Sequence, residues 1–193
     1  MRNLEEASER MHAARVYARR GPSSADFLAW LDSVEAECET ISGNFGRALK
    51  LLNHAEDVLR VPTEHEAPDW FTWFSPVRLA AFKGNTQLRA GQLHQARETL
   101  TQALTASGPS DEKQTTVILG DLAAVEAAAG DPEKACEFAE RALDQLARTW
   151  YATGIERVKE VSKALQQHSG LECVQRVDDR IYGWQTTLNS LQH

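Results

Sequence analysis

The sequence predicts an all-α fold, a solenoid of antiparallel helix pairs with about nine helices, filling residues 1–193 as a single repeat domain. Three observations lead there. Apolar residues recur at steps of three or four nearly end to end, the mark of helices with one buried face. Nowhere do Val, Ile, Thr or aromatic residues alternate with polar ones between turn signals, so strands are unsupported. A short pattern of one glycine followed by spaced alanines occurs three times along the chain, and self-similarity of that kind belongs to stacked repeats.

Helices are expected near 2–20, 24–42, 44–60, 76–90, 93–107, 111–129, 132–148, 151–168 and 171–191. They group as a half repeat or N-terminal cap (1–20), three helix pairs (24–60, 76–107 and 111–148) and a C-terminal capping pair (151–191). All six prolines, Pro22, Pro62, Pro68, Pro76, Pro109 and Pro132, fall between the periodic segments, where a first turn or a loop tolerates them. Ser75-Pro76 and Asp131-Pro132 each read as an N-cap followed by the first helical residue. The last helix carries a single apolar stripe, Leu171, Val174, Val177, Ile181, Trp184, Leu188 and Leu191. That stripe is either a dimer face or the cover of the stack.

The repeat is specific in its spacing. Gly43, Ala48, Leu52 and Ala55 recur as Gly91, Ala96, Leu100 and Ala103, and again as Gly130, Ala135, Ala139 and Ala142. A glycine permits the positive φ that ends one helix. The small residues on the next helix let it pack closely against an antiparallel partner. A helix pair has two apolar faces and cannot bury both alone, so pairs must stack.

Gly84, Gly91, Ala96, Leu100, Ala103 and Leu104, and again Ala123, Gly130, Ala135, Ala139, Ala142 and Leu143, fall at the spacing of tetratricopeptide repeats, which the sequence resembles. It departs from them at Gln87 and Glu126, where an aromatic residue is usual, and in its steps of 48 and 39 residues against about 34 in the family. The runs from Asp69 to Leu104 and from Leu119 to Val158 are similar to the C-terminal repeat region of XRE-type helix-turn-helix transcriptional regulators of high-GC bacteria, a likeness covering roughly residues 25–190. The resemblance implies a right-handed superhelix whose repeats dimerise and sense a ligand or partner, with a DNA-binding domain ahead of them that this chain lacks. Ala7, Met11 and Ala14 match the second-helix signature, but Arg2 stands where its glycine is expected. The chain therefore reads either as beginning inside a repeat or as opening on a cap.

Composition narrows the function classes. With 21 Lys+Arg against 28 Asp+Glu the net charge is −7 and the pI about 5.4. That acidic balance gives no electrostatic footprint for direct nucleic-acid binding. No apolar run approaches the ~20 residues that cross a bilayer, and the mixed-charge N-terminus is not a signal peptide. Cys38, Cys136 and Cys173 stand far apart in no pairable or metal-type spacing, as reduced thiols of a cytoplasmic protein do.

Chemistry is sparse. Glu9-x-x-His12 is a single copy of a motif that a four-helix di-iron site needs twice, so it reads as a solvated face. Glu64-His65-Glu66 lies in a loop without other ligands nearby in sequence. There is no G-x-S-x-G, Walker or G-x-G-x-x-G run. The expectation is a non-enzyme with no catalytic residues, no cofactor and no metal.

The most unusual local feature is Trp70-Phe71-x-Trp73-Phe74 between Pro68 and Pro76. Its rings either alternate into the core as a plug or, at Trp73 for example, wall a ligand pocket. In the resembled family the first helix of each pair lines the concave surface. Carried over, that register places Arg78, Asn85, Leu88 and Arg89 there, with Ser33, Glu37 and Thr40 from the preceding pair and Asp121, Ala124 and Ala128 from the following one. Asn can engage a peptide amide as donor and acceptor, and Arg can fork onto a carboxylate. The other reading is an ordinary solvated face whose arginines pair with Glu37 and Asp121. The expected function is ligand or partner binding and dimerisation, as in the sensor part of such a regulator, with a peptide or small molecule in the groove. The alternative is a free-standing scaffold or adaptor for protein–protein interaction.

Overall fold

The computed structural model describes residues 2–61, 65–71 and 73–191, with side chains described from Glu6 to Trp184 within them. These residues form nine α-helices and no strand: α1 (Arg2–Ala18), α2 (Ala25–Ile41), α3 (Phe45–Arg60), α4 (Pro76–Arg89), α5 (Leu93–Ala106), α6 (Glu112–Ala129), α7 (Pro132–Arg148), α8 (Ala152–Leu165) and α9 (Glu172–Leu191). Single 3-10 turns lie at Asp69–Phe71, Pro109–Asp111 and Gln166–His168. The last of these ends α8 ahead of the expected boundary. The two N-caps read from sequence are made: Ser75 accepts from the Arg78 amide and Asp131 from the Lys134 amide.

Three glycines, Gly43, Gly91 and Gly130, take φ of 82°, 74° and 82°, and no other described residue has a positive φ. After each, the next amide reaches back to a carbonyl five residues earlier: Asn44 to Glu39, Gln92 to Gln87 and Asp131 to Glu126. This is the glycine helix stop, which satisfies carbonyls the helix leaves open. Around each turn the small residues do what their spacing implied. Ala48, Ala55, Ala96, Ala103, Ala135, Ala139 and Ala142 are buried. So are Ala36, Gly84 and Ala123, seven residues ahead of the glycines.

The departure from the tetratricopeptide pattern has a physical explanation. Glu39, Gln87 and Glu126 occupy one position, four residues before the glycine, and all three are buried. Glu39 faces Arg47 at 3.4 Å and Glu126 faces Lys134 at 3.4 Å, in each case across the turn. The residue equivalent to Arg47 and Lys134 is Gln95, matching Gln87. In the two acidic copies an ion pair eight residues apart thus stands in place of the usual aromatic, whereas Gln87 Oε1 is buried without a hydrogen-bond partner. Buried polar groups need such partners.

The chain divides into two compact units, residues 1–99 and 100–193, with the division inside α5. In the first, α2 packs against α1, α3 and α4, around a core of Ala29, Ala36, Leu52, Phe71, Phe74 and Leu79 with their neighbours. In the second, α6 packs against α7 and α8, and α9 covers α7 and α8. Val174, Val177 and Ile181 of the C-terminal stripe are buried in that second core, with Leu171 and Trp184 partly buried against it. The described part of the stripe is therefore spent inside the unit. The side chains of Leu188 and Leu191 lie outside the described residues.

Between α6 and α8 the approach leaves no room for a side chain at two glycines. A Cβ on Gly120 would lie 2.6 Å from the Arg157 Cβ, and one on Gly154 would lie 2.5 Å from a Thr116 methyl. At each place the glycine backbone of one helix takes a side chain of the other. Gly120→Ala should therefore cost about 1–3 kcal/mol by forcing α6 from α8, as should overpacking by Ala135→Leu. Gly183→Ala, with open space around it in the interior of α9, should instead stabilise by about 0.5–1 kcal/mol. Thermal melts followed by circular dichroism check the two signs.

Candidate functional site

Charge is distributed unevenly over the helices. Among the nine, α4 alone carries basic residues (Arg78, Lys83, Arg89) and no acidic one, within a chain of net charge −7. Lys83 is held by Glu56 of α3, 2.8 Å away. Arg78, Asn85 and Arg89 share another stripe of the helix, at intervals of seven and four. Arg89 is exposed and donates through Nε to Asn85 Oδ1 at 3.2 Å, which presents amide and guanidinium together. Leu88 is half-buried beside them.

At the head of α4 stands the aromatic cluster, and it divides between the two readings of the sequence. Phe71 and Phe74 are core, 1% and 6% exposed, whereas Trp70 and Trp73 remain 70% and 42% exposed. Thr72 between them lies outside the described residues. Phe71 meets Phe27 and Trp30 of α2 edge-on, at 5.4 and 5.6 Å between centroids. Trp73 packs edge-on against Trp30 at 5.9 Å. The Arg78 guanidinium lies over the Trp73 ring, 4.9 Å from its centroid, a cation–π contact. Arg78 Nε is buried without a hydrogen-bond partner.

The neighbouring helix α2 runs parallel to α4. Trp30 touches Trp73 near the start, and the Thr40 and Thr86 hydroxyls hydrogen-bond at 2.9 Å near the end. That contact corrects the register expected for α2. Thr40 and Ser33 are buried, bonded to the Ala36 and Ala29 carbonyls, because these small side chains fill the approach of α2 to its neighbours. Counted back from the glycines, the α2 residues equivalent to Arg78, Asn85 and Arg89 are Trp30, Glu37 and Ile41. Of these, Glu37 and Ile41 are exposed and Trp30 half-buried. Asp121 belongs to the second unit and is buried with Arg157, Oδ1 to Nε 3.2 Å. A carboxylate so enclosed is a helix-to-helix tie and faces no open groove.

Other sequence candidates resolve more simply. His12 of the Glu9-x-x-His12 motif is not merely solvated, since its Nδ1 lies 3.5 Å from the buried Glu35 carboxylate. Glu64 lies outside the described residues. Among the described residues no group of three or more His, Cys, Asp or Glu side chains is placed to hold a metal. No helix there is long and apolar enough to cross a membrane. Burial, with the Glu37 and Glu39 charges on either side, holds the Cys38 thiol above its ordinary range, which disfavours a nucleophilic thiolate.

Neither a protein-family model nor a curated protein matches the sequence. Among solved structures, the chain is similar to BtubC (BKLC) from P. vanneervenii, with 20% identity over 93% of this chain and 71% of that one and a TM-score of 0.65. It is also similar to a candidate kinesin light chain of Podosopora anserina with nearly identical TPR-like repeats, at 16% identity over 96% of this chain and 88% of that one, TM-score 0.62. A second structure of that protein, carrying a substitution, gives 16% identity, 97% and 89% coverage and a TM-score of 0.64. The fold is TPR-like. At such identities the likeness is one of fold.

One pairing was missed because the sequence separates it. Cys136 of α7 and Cys173 of α9 meet beside the second core, although 37 residues apart in the chain. Burial and the adjacent Cys173 thiol push the Cys136 thiol up to about 12. It is a protonated core group at neutral pH. Alkylation at pH 8 followed by peptide mass spectrometry should leave Cys136 unlabelled in the folded chain and label it once denaturant is added.

Proposed function

We propose that the chain is a non-enzymatic, cytoplasmic helical-repeat module that binds an acidic peptide segment of a partner protein along α4, with Trp73 and Trp70 receiving a large apolar side chain. The observation that carries this reading is the wholly basic α4, whose Arg78 lies over a partly exposed tryptophan while Asn85 and Arg89 stand together farther along the stripe. Each group has a complementary role: the guanidinium groups take carboxylates, Asn85 takes a main-chain amide, and the indoles take apolar surface. The TPR-like fold supports it too, since helical repeats offer extended binding faces. Glu37 across on α2 sets polarity, favouring a basic or amide group of the peptide at that point.

A narrower form of the proposal makes this binding the sensor step of a regulator that dimerises. The resemblance of residues 69–104 and 119–158 to XRE-type repeat regions supports it. In that form, ligand affinity must differ between two states of the protein. Native mass spectrometry reads this directly as a subunit count that changes with ligand, and an unchanged monomer in both conditions leaves the plain scaffold.

The test of the broader reading is selection of a random peptide library displayed on phage against the purified chain. Enriched sequences should combine Asp or Glu with a large apolar residue. Arg78→Ala and Asn85→Ala should weaken the selected peptide by about tenfold or more, the worth of hydrogen bonds involving charge, with unchanged helical circular dichroism. Equal binding by both variants, or no enrichment, removes α4 as the site.

A further inference from the structure

Helix α1 is attached by charge. Its half-buried residues Ala7, Ser8, Met11, Ala14, Arg15 and Ala18 form one stripe, and α1 packs against α2. Yet none of its described side chains is fully buried, and none belongs to the apolar core of the first unit. What α1 meets instead is a row of carboxylates, Asp32, Glu35 and Glu39, spaced by three and four along α2 and almost wholly buried.

The pairing runs antiparallel along the two helices. Ser8 donates to Glu39 at 2.8 Å. His12 lies 3.5 Å from Glu35. Arg15 bridges Asp32 at 2.8 Å and Glu35 at 3.0 Å, and Arg19 approaches Asp32 at 3.9 Å. From α3 comes a second set, whose His54 also meets Arg19 at 3.1 Å. Arg47 lies 3.1 Å from Glu35 and 3.4 Å from Glu39, Asn44 donates to Glu39 at 2.8 Å, and His54 lies 2.6 Å from Asp32. Every carboxylate therefore has one set of partners on α1 and another on α3.

This arrangement makes the two attachments unequal. The α3 side is reinforced by Ala48, Leu51, Leu52 and Ala55 in the apolar core. The α1 side has no such support, and its central contact is imperfect, since Arg15 Nε and Glu35 Oε2 are buried together without a hydrogen bond. The attraction of a buried ion pair is largely offset by the desolvation it demands, so the net free energy holding α1 is small. If α1 leaves, Asp32, Glu35 and Glu39 keep their α3 counter-groups and regain water.

We propose that α1 is a releasable helix, which undocks from α2 as a local equilibrium of the native chain and uncovers the acidic Asp32–Glu35–Glu39 face while α2, α3 and α4 stay folded. Regions that open locally are those with few buried apolar contacts, and α1 is such a region by construction.

Hydrogen exchange of the full chain, read by mass spectrometry, tests this. Amides of residues 6–18 should exchange at least about tenfold faster than those of α3, since local opening needs less free energy than global unfolding. Arg15→Gln should speed α1 about tenfold further and leave α3 unchanged, because it removes the α1 residue that bridges two of the α2 carboxylates. Arg10→Gln, which breaks only an exposed pair with Glu6 within α1, should change neither. A single common rate for α1 and α3, or one that rises for both together in Arg15→Gln, overturns the proposal. Should Arg15→Gln fail to fold, the unaltered chain carries the test: raising salt from about 0.05 to about 1 M, which screens separated charges, should speed α1 selectively, and a salt-independent α1 rate overturns it.

Discussion

Close approach of helices through small side chains is the constraint on which this protein rests. Ser33, Ala81 and Gly120 lie ten residues before the three turn glycines, Ala36, Gly84 and Ala123 seven before them, and all are buried. The following helices answer with alanines five and twelve residues after each glycine. Dispersion and apolar burial per contact are modest for such small groups, but they act along the whole helix because nothing bulky holds the backbones apart. At Gly120 and Gly154 the tolerance falls to zero, as even a methyl group would meet an atom at 2.6 or 2.5 Å. The position of Arg157, and with it the tie to Asp121, follows from that closeness.

The same economy of side-chain volume explains why polar residues can sit inside. A large aromatic four residues before the glycine would fill the space across the turn; here Glu39 and Glu126 do so with a cationic partner eight residues on. Because both members come from one helix-turn-helix, the pair is formed locally and needs no other part of the chain. Buried ion pairs contribute little net stability but are intolerant of wrong partners.

Helices, caps and turns were legible in the sequence because their causes are local. Periodicity, the Ser75 and Asp131 caps, and glycine at the three positive-φ positions each act within a few residues, and all appear where expected. The burial of Ala48, Ala96 and Ala135 was legible too, since their spacing repeats. The site was less so. Which residues of α2 face outward depends on the rotation of α2 against α4, fixed by Thr40 on Thr86, two residues 46 apart in the chain. That rotation buries Ser33 and Thr40, which the sequence placed on the open face beside Glu37; Glu37 itself is exposed. The Asp121–Arg157 tie and the Cys136–Cys173 contact were hidden for the same reason. The carboxylate row at 32, 35 and 39 did carry a local signal in its spacing of three and four, but its cations are spread from Arg15 to His54.

These two polar systems put opposite charge on adjacent parts of one unit. The acids of α2 that face α1 and α3 are enclosed and matched, so their charge is largely neutralised before it reaches solvent. Of the cations of α4, Lys83 is matched by Glu56 of α3, whereas Arg78 and Arg89 share their helix with no acidic residue. An acidic chain thereby keeps one basic helix with exposed indoles at its head, and does so without a positive net charge that would draw nucleic acid. On the proposed reading, that geometry would favour a short acidic segment over a polyanion. A peptide can align its few carboxylates with Arg78 and Arg89 while setting an apolar side chain on Trp73. A nucleic-acid backbone would have to bring its remaining charges against a chain of net charge −7, at a cost that grows with each phosphate.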